Sequence, residues 1–433
     1  MLCPYIYFNA AARLQCKYNA LIVINDADIP ALVAQHLETL PLNGKRVLVL
    51  VPDHTRTMRL PVFFRALCKH LLPRVSRLDF LVALGTHPAL DDASMNRLFG
   101  ISVAERSGEY AKVCLLNHAW QDPAALTTLG TVSEDEVAEI SEGLLRMTVP
   151  VRLNKAVLDC DHIIICGPVF PHEVVGMSGG NKYFFPGIAG EEVINFTHWL
   201  GALITSYDII GVTSTPVRKM VDRAAEMIPT PRHALCVVIS KEGIHDLTFG
   251  TPVDAHARAA AVSRGVHIKY VPHAFKQVLS VLPEMYDEIW VGAKGMYKLE
   301  PVIADGGEVI LFAPHIHDFS ETHGRVIRQI GYHVRDYFAK RWDQFKYLPW
   351  GVIAHSTHVR GKGEYDLASG IELPRINVTL ATGISEAECK AVTLGYRDPR
   401  SIDVAAWSRR QNRDLMVVPQ AGETLFRLEA ERT

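Results

Sequence analysis

The stretch RVLVLVPDHTR, residues 46–56, decides the fold. Val47 to Val51 are apolar without a break, which predicts a strand buried on both faces. Pro52 ends the run, and Asp53, His54, Thr55 and Arg56 follow at its carboxyl end. LDFLVAL (78–84), HIIICG (162–167), EIWVGA (288–293) and EVILFA (308–313) read the same way. Helical patterns lie between the strands at 57–75, 135–147, 215–228 and 321–334. The alternation predicts an α/β fold with mostly parallel sheets flanked by helices. Each run leads into ionisable residues: Asp53 and Arg56, His87, His172, Lys294, and His315. In open parallel sheets that edge is where ligands bind.

At 433 residues the chain exceeds a single small core and predicts two α/β domains, 1–270 and 271–433. The boundary is set near 270, where RGVHIKYVPHAF opens a new strand–helix unit, with a tail able to pack back on the first domain. An active site in the interdomain cleft would gather residues from both. Hydrophobic residues make up 48% and charged residues 21%, the profile of a packed enzyme. A net charge of −2 without a strongly basic segment argues against nucleic acid, and no run of apolar residues long enough to span a membrane occurs. MLCPYIYFNAAARLQCKYN (1–19) lacks a basic start followed by an apolar run, so it reads as a loose extension, not a signal peptide. Eight cysteines without a CxxC pair read as buried free thiols, which fits a reducing cytoplasm.

The chemistry concentrates in PHEVVGMSGGNKYFFPGIAGEEVINFTHW, 171–199. Ser178, Gly179, Gly180 and Asn181 form a glycine turn followed at once by Lys182. Such a turn is either purely structural or an anion cradle. It is neither GxxxxGK[ST] nor GxGxxG. His172, Lys182 and His198, spaced ten and then sixteen residues apart, match no zinc motif. Histidines without clustered thiolates or carboxylates are compatible with a metal held inside a cofactor.

PDHTR (52–56), LGTH (84–87), NHAW (117–120), the 171–198 segment and VGAKG (291–295) together resemble the successive motifs of the nickel-pincer lactate racemase family. The resemblance runs over roughly residues 40–400. It implies a 2-hydroxy acid racemase or epimerase with a nickel-pincer nucleotide, a nickel pyridinium bisthiocarboxylate mononucleotide made by cofactor-biosynthesis proteins. The implied reaction passes a hydride to the cofactor and back through a 2-keto acid. By position, Lys182 resembles the tethering lysine and His198 the nickel ligand, with Ser178, Gly179, Gly180 and Thr197 at the cofactor. His87 and His172 resemble the two acid/base histidines. Arg56, Asp53, Lys294 and Trp290 fall at the substrate. Two departures put lactate itself in doubt: Trp290-Val291 stands where lactate enzymes have Tyr-Gln, and Thr197 where they have methionine. A bulkier 2-hydroxy acid is one expectation. Malate is another, should a basic loop at 354–366 bring His355, His358, Arg360 and Lys362 to the cleft. The competing expectation is a non-catalytic homologue that binds or carries the nickel nucleotide.

Overall fold

The computed structural model describes residues 23–432, so the extension at 1–19, with Cys3 and Cys16, lies outside the described residues. Two open sheets organise the chain. The first contains β1 (Arg46–Val51), β2 (Arg77–Val82), β3 (Val113–Asn117), β4 (His162–Pro168), β5 (Arg232–Ser240) and β6 (Gly243–Gly250), in the order β6-β5-β4-β1-β2-β3. All neighbours are parallel except β5 and β6. Leu48 and Leu50 of β1 enter one apolar core while Val47, Val49 and Val51 enter another. Alternate side chains point to opposite faces, so a strand covered on both sides must be apolar throughout. The chain winds from β1 to β2 and β3, then returns to lay β4 on the other side of β1. Loops leaving β1 and β4 therefore diverge, and the crevice between them is the sheet's natural ligand site.

The second sheet contains β7 (Phe275–Val281), β8 (Ile303–Ala313), β9 (Asn377–Thr382), β10 (Gly395–Tyr396) and β11 (Leu415–Val418), all parallel, in the order β10-β9-β8-β7-β11. Two helices join the halves: α1 (Glu191–Ile204) packs on α2 (Trp350–Arg360), where the Gly351 amide donates to Asn195 Oδ1 at 3.1 Å. Trp199 of α1 stacks on Trp342, with centroids 4.6 Å apart. The tail returns to the first half. Leu425–Leu428 pairs with Ile268–Val271, Arg427 donates to the Tyr207 and Ile210 carbonyls, and Thr57 hydrogen-bonds Glu423.

Several sequence expectations need correction. EIWVGA is not a strand: Ile289–Gly292 and Lys294–Tyr297 are helical turns. Short apolar runs look alike in either state, and here Gly292 and Gly295 let the turns press directly on Leu282. The helix expected at 135–147 spans only Glu134–Ile140, and that at 321–334 only Gly324–Ile330. Ile268–Val271 leads into β7 rather than a helix. Residues 354–366 are not a loop: they finish α2 and run into the strand Gly363–Asp366. Cys68, Cys160, Cys166, Cys236 and Cys389 are buried free thiols as expected, but Cys114 is exposed.

Candidate active site

A cavity opens at the carboxyl ends of β1, β2 and β4 and is closed from the other side by α2 and the 290–297 turns. Asp53, Arg56, His87, His172, Lys182, His198, Ser178, Gly179 and Trp290 all line it. β1 lies between β2 and β4, so His87 and His172 issue from the strands on either side of the one that delivers Arg56. His315, by contrast, bonds the Tyr286 carbonyl and does not line the cavity.

His198 sits on α1 with Nδ1 2.6 Å from the Ile194 carbonyl. A carbonyl only accepts, so Nδ1 carries the proton and Nε2 keeps its lone pair. That tautomer is the one a metal needs. Burial holds the ring below the usual histidine range. Lys182 follows the glycine turn, and its ammonium has no hydrogen-bond or ion-pair partner among the described residues. Burial first, then the Arg56 guanidinium, draws its ammonium down to about 7. An amine near 7 is substantially uncharged at neutral pH and therefore nucleophilic.

Asp53 accepts from the Thr55 amide (2.9 Å) and hydroxyl (2.6 Å), and its Oδ2 lies 4.0 Å from His87 Nε2. Burial opposes its ionisation, yet His87 and Arg56 hold it well below the usual carboxylate range. His87 is pulled down by burial, with Asp53 pulling the other way. His172 Nδ1 lies 3.2 Å from the Val174 amide, which donates to it, and 3.4 Å from Glu173 Oε2. Burial, then Lys182 and Arg56, push His172 well below its ordinary value.

The turn shows why glycine is needed. Gly179 (φ +87°) and Gly180 (φ +58°) are left-handed, and a Cβ on Gly180 would lie 2.8 Å from the Pro252 carbonyl oxygen. Behind the turn, Arg218 donates to the Gly179 carbonyl at 3.2 Å and also to that of Met177, and Asp222 accepts from the Asn181 side-chain Nδ2 at 2.9 Å. Ser178 uses its hydroxyl to donate to the Pro168 carbonyl and accept from the Phe170 amide, so it pins the loop.

Of the residues placed by motif position at the cofactor or substrate, Gly180, Thr197 and Lys294 do not line this cavity. Gly180 packs against Pro252 and His256 instead. Thr197 is fully buried, its hydroxyl donating back to the Val193 carbonyl at 2.7 Å, a habit of threonines inside helices. Lys294 lines a smaller cavity, divided from the first by Arg56 and Phe170, which line both. There its ammonium lies over Tyr286 (4.8 Å), and burial followed by Arg56 holds it well below the usual lysine range.

Four lining or bordering residues escaped the sequence reading. Glu173, beside His172, is half-buried yet stays below the usual carboxylate range, because Arg56 chiefly offsets the desolvation. Tyr297 and Tyr183 complete the wall. Lys298, buried and drawn to about 8 by burial, borders the smaller cavity with its ammonium on the Glu423 carbonyl. Only Glu173 carried a signal, its place next to a strand-end histidine. Of the 354–366 residues, His355 and His358 line the cavity, while Arg360 pairs with Glu372 and Lys362 with Asp208.

Comparison with known proteins matches residues 24–208 to the lactate racemase N-terminal domain. A curated lactate racemase from Thermoanaerobacterium thermosaccharolyticum is 23% identical over 287 residues, 64% of this chain and 62% of the relative. The match thus spans less than two thirds of that relative's length. A crystal structure of a Thermotoga maritima protein superposes with a TM-score of 0.86 at 33% identity, covering 94% of this chain and 99% of the other. The lactate racemase apoprotein from T. thermosaccharolyticum superposes with a TM-score of 0.69 at 19% identity, covering 92% and 93% of the two chains, and shares the fold.

Proposed function

We propose, from the premise that the chain belongs to the lactate racemase family, that it is a nickel-pincer-nucleotide-dependent racemase or epimerase of a 2-hydroxy acid other than lactate. One observation carries the reading: Arg56 and His87 from two separate strand ends, and His172, Lys182 and His198 from the 171–198 segment, line a single cavity. The donor set fits the cofactor. Among the described residues no three His, Cys, Asp or Glu side chains are arranged to hold a metal, so an ion here would draw most of its ligands from a bound molecule. His198 Nε2 would supply the protein's ligand and the Lys182 amine the tether. When bound, the group supplies a hydride acceptor at the substrate's C2.

The chain's own residues do the rest. Arg56, with its planar fork, would hold the substrate carboxylate bidentately. His87 and His172, on opposite sides of Arg56, would take and return the hydroxyl proton, one serving each enantiomer. Asp53 would stabilise the His87 imidazolium formed when that proton is accepted. The Arg56 guanidinium, which stays charged at any working pH, gives the cavity a fixed cation for an anionic ligand. The fold would keep water from the reacting centre by closing α2 and the 290–297 turns over the sheet edge.

The test is intact-protein mass spectrometry with metal analysis after co-expression with the cofactor-making proteins. A nucleotide-sized adduct at Lys182 together with stoichiometric nickel is expected. Neither, in a system that loads a control racemase, would overturn the nickel-nucleotide reading, and loaded protein that racemises no member of a panel of chiral 2-hydroxy acids would favour the non-catalytic carrier.

A further inference from the structure

The cavity is chemically divided. Its first-sheet side is charged, while its other side is built from Trp290, Tyr297, His355 and His358. The two imidazoles are anomalous. His355 and His358 are 7% and 3% exposed, and His355 Nε2 and both His358 nitrogens are buried without a hydrogen-bond partner. Trp290 leans over His355, centroids 4.2 Å apart, and helps seal it from bulk water. Buried polar atoms are nearly always paired, and each exception calls for an explanation. A ligand group in the adjoining cavity supplies one.

We infer that His355 and His358 form a subsite for hydroxyl groups on the substrate's chain beyond C2, so that the acid is a polyhydroxylated 2-hydroxy acid. The inference rests on the racemase reading for the position of C2. A neutral imidazole both donates and accepts, as a hydroxyl does, and burial keeps both rings below their ordinary range. A second carboxylate, as in malate, would want a cation there. Arg360 and Lys362 are engaged elsewhere, with Glu372 and Asp208. An alkyl chain would leave the ring nitrogens unpaired.

The test uses matched pairs of acids of equal length, one hydroxylated along its chain and one alkyl. Loaded enzyme is assayed for kcat/KM, and the unloaded chain is titrated with each acid by calorimetry. The hydroxylated member is expected to win by roughly 10- to 100-fold in both, since a site built around hydrogen bonds rejects the analogue lacking them. His358→Phe and His355→Phe, which keep the ring's bulk, should collapse that preference. Equal turnover and equal binding of the pair by the wild type, or a preference for alkyl, phenyl or dicarboxylic acids, would overturn the subsite and leave the racemase reading standing. Loaded protein that turns over no 2-hydroxy acid would overturn the racemase reading, and the calorimetric preference would then decide the subsite alone.

Discussion

Lys182 is a direct check on the electrostatics of the cavity. An ordinary lysine keeps only about one amine in 3,000 uncharged at pH 7. With burial, and then Arg56, drawing it to about 7, Lys182 keeps about half. The sign follows from desolvation, which disfavours the charged form and so lowers a lysine's pKa. Competitive labelling of the unloaded chain with an amine-reactive reagent across pH 5.5 to 10, read by peptide mass spectrometry, should place the Lys182 midpoint near 7. Exposed lysines in the same sample provide the reference for reagent decay. Arg56→Met removes the guanidinium while preserving much of the stem, and should move the midpoint upward without restoring ordinary behaviour, because burial remains. A Lys182 midpoint above 9 in the native chain would refute both the buried environment and the argument that this amine is nucleophilic at neutral pH.

His198→Ala should leave the fold intact and reduce nickel in loaded protein to background by elemental analysis; stoichiometric nickel in the variant would remove His198 as the ligand. His87→Ala and His172→Ala should retain the cofactor and lose roughly 10²- to 10⁴-fold in kcat, the range for a positioned acid or base, measured by chiral chromatography. Gly180→Ala forces a side chain into a left-handed residue facing the Pro252 carbonyl and should cost about 2 kcal/mol or more in chemical denaturation. Acid should destabilise the chain. Burial lowers His118 and His162 to about 4 and His256 to about 3 from 6.5. The unfolded chain therefore binds protons below pH 6.5 that the fold refuses. That stability is present above 6.5 and is lost as pH falls toward 4. Urea midpoints at pH 7.5, 6 and 5 should fall in that order, and a flat profile would contradict the assignment.

The buried parallel strands were legible because a strand covered on both faces is apolar along its buried run, and Val47–Val51, Phe80–Val82 and Ile163–Cys166 are. The same signal misled at 288–293, where unbroken apolarity reports burial and not backbone conformation. Helices were overextended at 135–147 and 321–334 because chain direction changes where tertiary packing requires it. Thr197 was misplaced because motif position does not say which face of a helix a residue takes, and its neighbour His198 occupies the face toward the cavity.

By itself, then, the sequence determined the α/β class and the chemically loaded strand ends, along with the segment 171–198 that resembles a single family. These depend on local rules: burial period, glycine at left-handed positions, and residue types matched to chemistry. Only the tertiary structure decided that β4 lies beside β1 and opposite β2, which sets His172 and His87 on either side of Arg56. It alone set Lys294 in a separate cavity and turned His355 and His358, but not Arg360 and Lys362, toward the site. Such placements follow from strand order and from helices packing across more than a hundred residues of chain, as Asn195 does on Gly351, and no local pattern encodes contacts of that range.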